Sequence, residues 1–174
     1  MKWIIKLIPL KLLLRNVMIF KRKHLPFQKC NKDSKRIAKE LLNLHGWKNA
    51  GAINIYTAIG NEVSTDDLIY DATFTSNKVI YYPTEKPEDN NCDIDLVIVP
   101  GVVFDEKMAR YGRGFGYYDR FLSHLPKQTK VVALAYDFQI LSHKRELMLD
   151  DWDIKMDYII TEKRVIQKQG YYFY

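Results

Sequence analysis

Cysteine is scarce in this chain. The two cysteines, Cys30 and Cys92, are too few and too far apart for a zinc site or a disulfide scaffold. A reduced compartment such as the cytoplasm fits them, with a single bridge left open. The 8 glycines and 6 prolines exclude a collagen-like chain or a flexible linker. Long uncharged apolar runs are also missing. Residues 1–20 are largely apolar, yet Lys2, Lys6, Lys11 and Arg15 interrupt them and Pro9 punctuates them. No stretch reaches the uncharged length that spans a bilayer, so no stable membrane insertion is expected. No small-residue cleavage site follows, and residues 1–10 read as an extension, with a targeting or surface-lying helix as the alternative. No Ser-His-Asp or Cys-His arrangement stands out.

Acidic residues are scarce at one end only. Residues 1–50 hold 13 Lys and Arg against two acids, Asp33 and Glu40, whereas the remainder holds 14 basic and 19 acidic residues. A basic region facing an acidic body suits an anionic ligand between them. Aromatic residues do not interleave the basic run, so nucleic acid is not expected as a partner.

The 174 residues, 47% of them apolar, suffice for one domain over 1–174 with a real core and a loose tail over 168–174. Hydrophobic periodicity predicts helices over 10–22, 35–45, 65–73, 116–123 and 141–148. It predicts strands over 50–57, 78–82, 94–99, 130–135 and 158–160, with a polar loop over 84–93. Pro9 is acceptable at the start of the first helix. Asp33 or Ser34 is the expected cap of the second and Gly46 its end, and Ser64 or Thr65 caps the third. This alternation predicts an α/β fold: a layered, mostly parallel sheet flanked by helices, Rossmann-like.

One segment concentrates chemistry. The apolar strand Asp95-Leu-Val-Ile-Val-Pro-Gly-Val-Val-Phe-Asp105 leads to Arg110-Tyr-Gly-Arg-Gly-Phe-Gly-Tyr-Tyr-Asp-Arg120. Alternating Gly112, Gly114 and Gly116 let the backbone turn tightly and approach a ligand. Free N–H groups there, with the helix that follows, favour phosphate, and Arg110 and Arg113 add charge. Asp119 is placed to serve Mg²⁺ beside that phosphate. Tyr117 and Tyr118 shape the pocket or pack it. The spacing is neither a P-loop nor the dinucleotide fingerprint. Lys11 and Arg15 are four apart on one helical face, with Arg22 a further seven on, so three cations address one side.

This segment closely resembles the signature of the 5-formyltetrahydrofolate cyclo-ligase family, also called methenyltetrahydrofolate synthetases. Flanking pieces are similar in family order: Lys11-Leu-Leu-Leu-Arg15, Tyr56 with Glu62-Val-Ser-Thr65, Tyr81-Tyr-Pro83, and Asp153 with Met156-Asp-Tyr-Ile-Ile-Thr-Glu162. The resemblance implies an ATP- and Mg²⁺-dependent ligase that converts 5-formyltetrahydrofolate to 5,10-methenyltetrahydrofolate, acting as a monomer or a dimer. It implies Lys11, Arg15 and Arg145 on the ATP phosphates. Arg110, Gly112, Arg113, Gly114, Phe115, Gly116, Tyr117 and Tyr118 would form the nucleotide loop. Asp119 would lie on the metal, and Tyr56, Glu62 and Tyr118 beside the folate. Arg113, Asp119 and Lys11 would act on the reacting groups. Three departures stand out: Phe115 where relatives often carry glycine or lysine, Trp152 where a histidine is common, and a short connection from Pro83 to Asp95. The other reading of these departures is a relative that binds nucleotide or folate with little catalysis.

Overall fold

The computed structural model describes residues 4–84, 93–142 and 145–168. The chain begins with helices α1 (Ile4–Lys23), α2 (Phe27–Asn43) and the short α3 (His45–Asn49) before strand β1 (Ala52–Ile55). Helix α4 (Asp66–Tyr70) and a π-helical turn (Asp71–Thr75) lead to strands β2 (Val79–Tyr81) and β3 (Leu96–Val99). A small hairpin, β4 (Val103–Phe104) and β5 (Arg110–Tyr111), precedes α5 (Tyr117–Ser123). Strand β6 (Lys130–Leu134), a 3₁₀ turn (Asp137–Gln139), β7 (Tyr158–Ile160) and β8 (Val165–Gln167) complete the order.

The main sheet runs β2-β1-β3-β6-β7-β8. All its pairings are parallel except β7 with β8. The fold is therefore the expected α/β type, and the alternation within each strand explains it. Ile53, Ile55, Leu96, Ile98, Val132 and Leu134 pack in one apolar cluster with Ile37, Leu41 and Leu68 of the helices. The intervening Val97, Val99, Val131 and Ala133 pack in a second cluster with Phe121 and Leu122 of α5. Because successive side chains of a strand point to opposite faces, strands apolar at every position need helices on both sides. A third cluster joins Met18 of α1 to Val102, Val103, Tyr111 and Leu147. It seats α1 over the hairpin, beyond the carboxyl ends of the parallel strands.

Several local expectations are corrected. Helix α1 begins at Ile4, so Pro9 lies inside it. Helix α2 starts at Phe27, after Pro26, rather than at residue 35. Asp33 and Ser34 are buried within it. Asp33 pairs with Lys29 at 2.6 Å, and the Ser34 hydroxyl accepts from the Ser64 N–H at 3.0 Å. The Asp33 side chain serves an i,i+4 pair within the helix and the Ser34 side chain a tertiary contact, where the sequence rule sees only a cap. Leu44 in extended conformation ends α2, and Gly46 falls within α3. Thr65 precedes α4 without capping it, since its hydroxyl donates to the Tyr56 carbonyl at 2.8 Å. The helix expected over 141–148 is absent from its described residues, which run without helix or strand. There the buried Asp105 carboxylate accepts the Leu147 N–H at 2.8 Å, replacing a helical partner. The interior of loop 84–93, with Cys92, lies outside the described residues, as does the tail beyond Lys168. Cys30 is a free, buried thiol.

Asp137, just after β6, ties down the turn between β7 and β8. Its carboxylate accepts from Lys163 at 3.0 Å and from Arg164 at 2.9 Å. Partial burial raises this carboxyl, but the hydrogen bonds from Lys163 and Arg164 outweigh it and hold the group below its ordinary value. A carboxyl depressed in the folded state adds stability above its unfolded pKa and loses it as pH falls through the folded one. Asp137→Asn should therefore lower unfolding free energy by about 1 kcal/mol at neutral pH, because the partners are solvent-screened. Denaturant titrations of variant and wild type should converge as pH falls below about 4.

Candidate active site

Reversal of strand order leaves a crevice at the carboxyl ends of β1 and β3. Open α/β sheets bind ligands at such a switch point. A cleft of about 590 Å³ opens there, with Tyr56 and Thr57 following β1, Tyr82 and Pro83 following β2, and Pro100 and Gly101 following β3. Helix α1 supplies Lys11 and Arg15 from one side, and the glycine loop closes the other.

The loop conformation requires its glycines. Gly114 and Gly116 have φ of 106° and 64°, values that side chains with a Cβ rarely adopt. A Cβ at Gly112 would sit 2.8 Å from Arg110 Nη1. The loop is thus free to lie against two arginines. Helix α5 behind it has seven residues, so its dipole adds little, and the anion-binding character rests on the loop and the cations.

These cations are already ordered by partners across the cleft. Lys11 Nζ pairs with Asp150 at 2.8 Å. Arg15 Nε donates to the Gly112 carbonyl at 2.9 Å. The Lys11 and Arg15 groups stand 5.2 and 5.3 Å from the centre of the Tyr111 ring, within cation–π range. Arg110 is buried, reaches Asp119 Oδ1 at 3.1 Å, and lies 5.5 Å from the centre of the Tyr118 ring.

Glu62 is the hub. Its carboxylate is buried and accepts from Arg113 at 2.8 Å, Arg22 at 3.4 Å and the Ile59 N–H at 3.1 Å. Arg22 also donates to the Gly101 carbonyl at 3.1 Å. Desolvation lowers the Arg22 pKa, and the Glu62 charge works against that shift. Neighbouring Asn61 donates to the Arg22 carbonyl at 3.0 Å near the end of α1. The segment 59–62 thus grips α1 by two side chains, one of them charged.

Burial, above all other causes, raises the phenols of Tyr56 and Tyr118. Both remain neutral donors at any ordinary pH. The Tyr56 hydroxyl donates to the Val63 carbonyl at 2.8 Å, so only its ring is offered to the cleft. At the mouth, Phe115 and Trp152 are 80% and 69% exposed, and both line the cleft. Flat apolar surface beside charge is what a heteroaromatic ligand needs.

The sequence-selected residues Lys11, Arg15, Tyr56, Glu62, Arg110, Arg113, Tyr117, Tyr118 and Asp119 converge on this one cleft, with Phe115 and the three glycines. Arg145 does not join them. It is exposed in the non-helical segment after β6 and is absent from the cleft wall. Arg22, read as a third cation for the ligand, instead faces Glu62. Tyr111, Asp150 and Tyr82 line the cleft without having been singled out. Tyr111 lay within the motif, but its role as a platform under two cations needs the fold to bring α1 across. Among the described residues, no three His, Cys, Asp or Glu side chains gather to hold a metal unaided. Asp119, Asp150 and Asp153 do line the cleft, which suits a cation that takes one or two carboxylates and fills its shell from phosphates.

Fold and cleft together define a class: an α/β protein with a basic, aromatic-lined crevice at its topological switch point. The chain belongs to the 5-formyltetrahydrofolate cyclo-ligase family. The family's profile matches residues 85–162. The 5-formyltetrahydrofolate cyclo-ligase of Mycoplasma genitalium is 31% identical over 160 residues, covering 84% of this chain and 94% of that protein. The solved 5,10-methenyltetrahydrofolate synthetase of Aquifex aeolicus superposes with a TM-score of 0.79 at 28% identity, covering 94% of this chain and 95% of that one. The synthetase of Mycoplasma pneumoniae gives 0.74 at 26% identity, covering 87% of this chain and 98% of that one. The short link between β2 and β3 therefore coexists with near-complete coverage of these two relatives.

The two arginines on Glu62 should differ in structural weight. Arg22 and Glu62 side chains are 9% and 7% exposed, whereas Arg113 is 47% exposed. Arg22→Met should lower unfolding free energy by about 3 kcal/mol, since it strips a buried carboxylate of its buried partner. Arg113→Met should lower it by about 1 kcal/mol or less. Urea denaturation of both variants checks this ranking, and equal losses would contradict it.

Proposed function

We propose that the chain catalyses ATP-dependent closure of 5-formyltetrahydrofolate to 5,10-methenyltetrahydrofolate, with release of ADP and phosphate. One observation carries this reading. Lys11 and Arg15 from α1, and Arg110 and Arg113 from the glycine loop, line the same cleft as Tyr56, Glu62 and Tyr118. A polyanion and a flat, hydrogen-bonding heterocycle can therefore lie side by side.

The chemistry needs alignment more than a nucleophile. The formyl oxygen of the substrate attacks the γ-phosphorus, and the bond to ADP breaks. The oxygen, a poor leaving group, becomes part of a phosphate ester. The N10 lone pair of the folate then forms a bond to the activated carbon. The carbon–oxygen bond breaks, inorganic phosphate leaves, and N10 gives up its proton. Lys11, Arg15 and Arg113 stabilise charge spread over the phosphoryl oxygens during transfer. Incoming phosphates compete for Lys11 and Arg113 against Asp150 and Glu62. Release of Glu62 from Arg113 leaves a carboxylate, still held by Arg22, to accept N–H donors of the pterin. Magnesium would enter with the nucleotide, on its phosphates and Asp119, and it neutralises phosphate charge when bound. One copy lines the whole cleft, so a monomer suffices, and the free Cys30 thiol fits a reducing cytoplasm.

Purified protein given ATP, magnesium and 5-formyltetrahydrofolate should produce the near-ultraviolet absorbance of methenyltetrahydrofolate. Lys11→Ala and Arg113→Ala should each lower kcat/KM by about ten- to a hundredfold while the protein stays folded. Well-folded wild type that binds ATP but gives no product would move the chain to the binding-only reading. Full activity in both variants would reject the site.

A further inference from the structure

Helix α1 carries apolar residues on both its faces. Its face toward the protein carries Lys11, Arg15 and Arg22, together with Leu14 and Met18. Its opposite face carries Leu13, Val17 and Phe20, spaced by four and three residues, at 59, 41 and 63% exposure. Leu10 and Leu12 flank that stripe and are also about half exposed. A surface helix of a globular domain keeps the face opposite the core polar. The cleft explains the inward cations. Nothing among the described residues covers the outward apolar stripe, and a contiguous exposed patch of this kind marks an interaction surface.

Charge identifies the partner. The helix has no acidic residue, and its last turn ends in Lys21, Arg22 and Lys23. Arg22 is buried, whereas Lys21 and Lys23 are exposed on either side of Phe20. A second copy paired through the same stripe would bring another acid-free helix, with no carboxylate on it to meet these lysines. An anionic bilayer surface accepts both features. Leucine, valine and phenylalanine enter the boundary of the acyl chains, and the lysine ammonium groups stay at the phosphates. We infer that the outer face of α1 docks this protein on anionic lipid surfaces. The attachment is peripheral, since no described helix is long and apolar enough to cross a membrane. A helix of 20 residues extends about 30 Å and lies along the surface, while its other face keeps Lys11 and Arg15 in the cleft.

Co-sedimentation with vesicles tests this, using phosphatidylcholine alone and phosphatidylcholine mixed with phosphatidylglycerol. The full chain should pellet with the mixed vesicles, weaken as salt rises, and stay in solution with phosphatidylcholine alone. Leu13→Ser with Phe20→Ser, and separately Lys21→Gln with Lys23→Gln, should each reduce partitioning about tenfold or more. Lys35→Gln with Lys39→Gln, on the exposed side of α2, should leave it near wild type. Circular dichroism and thermal unfolding verify that each variant is folded. The inference is overturned if wild type does not bind the mixed vesicles, or if the α2 variant loses as much binding as the α1 variants. It is also overturned if sedimentation velocity shows a dimer that Leu13→Ser with Phe20→Ser dissolves, while vesicles capture nothing.

Discussion

The buried carboxylate of Glu62 holds the site together. Three parts of the chain meet on it: α1 through Arg22, the glycine loop through Arg113, and its own turn through the Ile59 N–H. Removing a carboxylate from water is costly unless opposite charge and donors surround it. The turn after β1 therefore settles where these arginines can reach. That requirement fixes α1 across the carboxyl ends of the strands, and Asn61 reinforces it by capping carbonyls at the end of α1. The apolar contacts of Met18 with Val102 and Tyr111 add area, but they are non-directional and would tolerate sliding. The ion pairs supply the register that places Lys11 and Arg15 over Tyr111.

The parallel sheet contributes by bringing distant segments to one edge. Residues 56, 82 and 100 are far apart in sequence, yet β1, β2 and β3 are neighbours and end together. The crevice follows from that order without any dedicated loop. The hairpin of β4 and β5 then carries the chain back over the crevice. Its turn is secured by Asp105, whose Oδ1 accepts the N–H groups of Lys107 and Ala109, both at 2.9 Å. Backbone rigidity at the hairpin passes directly into the glycine loop, which starts at the next residue, Gly112.

Most of this was legible in the sequence where the signal was local. The uninterrupted apolar run 96–99 declared burial on both faces, and alternating glycines declared a tight loop. The four-residue spacing of Lys11 and Arg15 declared a shared face. The misreadings came where tertiary contacts outvoted local chemistry. Asp33 and Ser34 look like caps, yet packing draws them inside a longer α2. Residues 141–148 have helical composition, but the buried Asp105 carboxylate takes a backbone donor from that stretch. Arg22 continues a cationic face, and only the fold reveals a carboxylate from residue 62 opposite it. For Arg145 the resemblance alone supplied a role, and among the described residues it stands outside the cleft wall.

A cleft rich in cations has to remain folded while it holds no anion. Four unpaired positive charges in a partly enclosed space would repel one another and strain the packing of α1 against the loop. Here Asp150 pairs with Lys11, Asp119 with Arg110, and Glu62 with both Arg113 and Arg22, while Arg15 is held by the Gly112 carbonyl. The arrangement is graded by depth. Arg110 and Arg22 are buried, and their pairs with Asp119 and Glu62 are part of the fold. Lys11 and Arg113 are more exposed, and their partners can be exchanged at modest cost, because exposed ion pairs are weak. The same gradient therefore separates residues that hold the cleft in shape from residues free to meet a ligand. It does so with one charge type, by changing only how much water each guanidinium or ammonium retains.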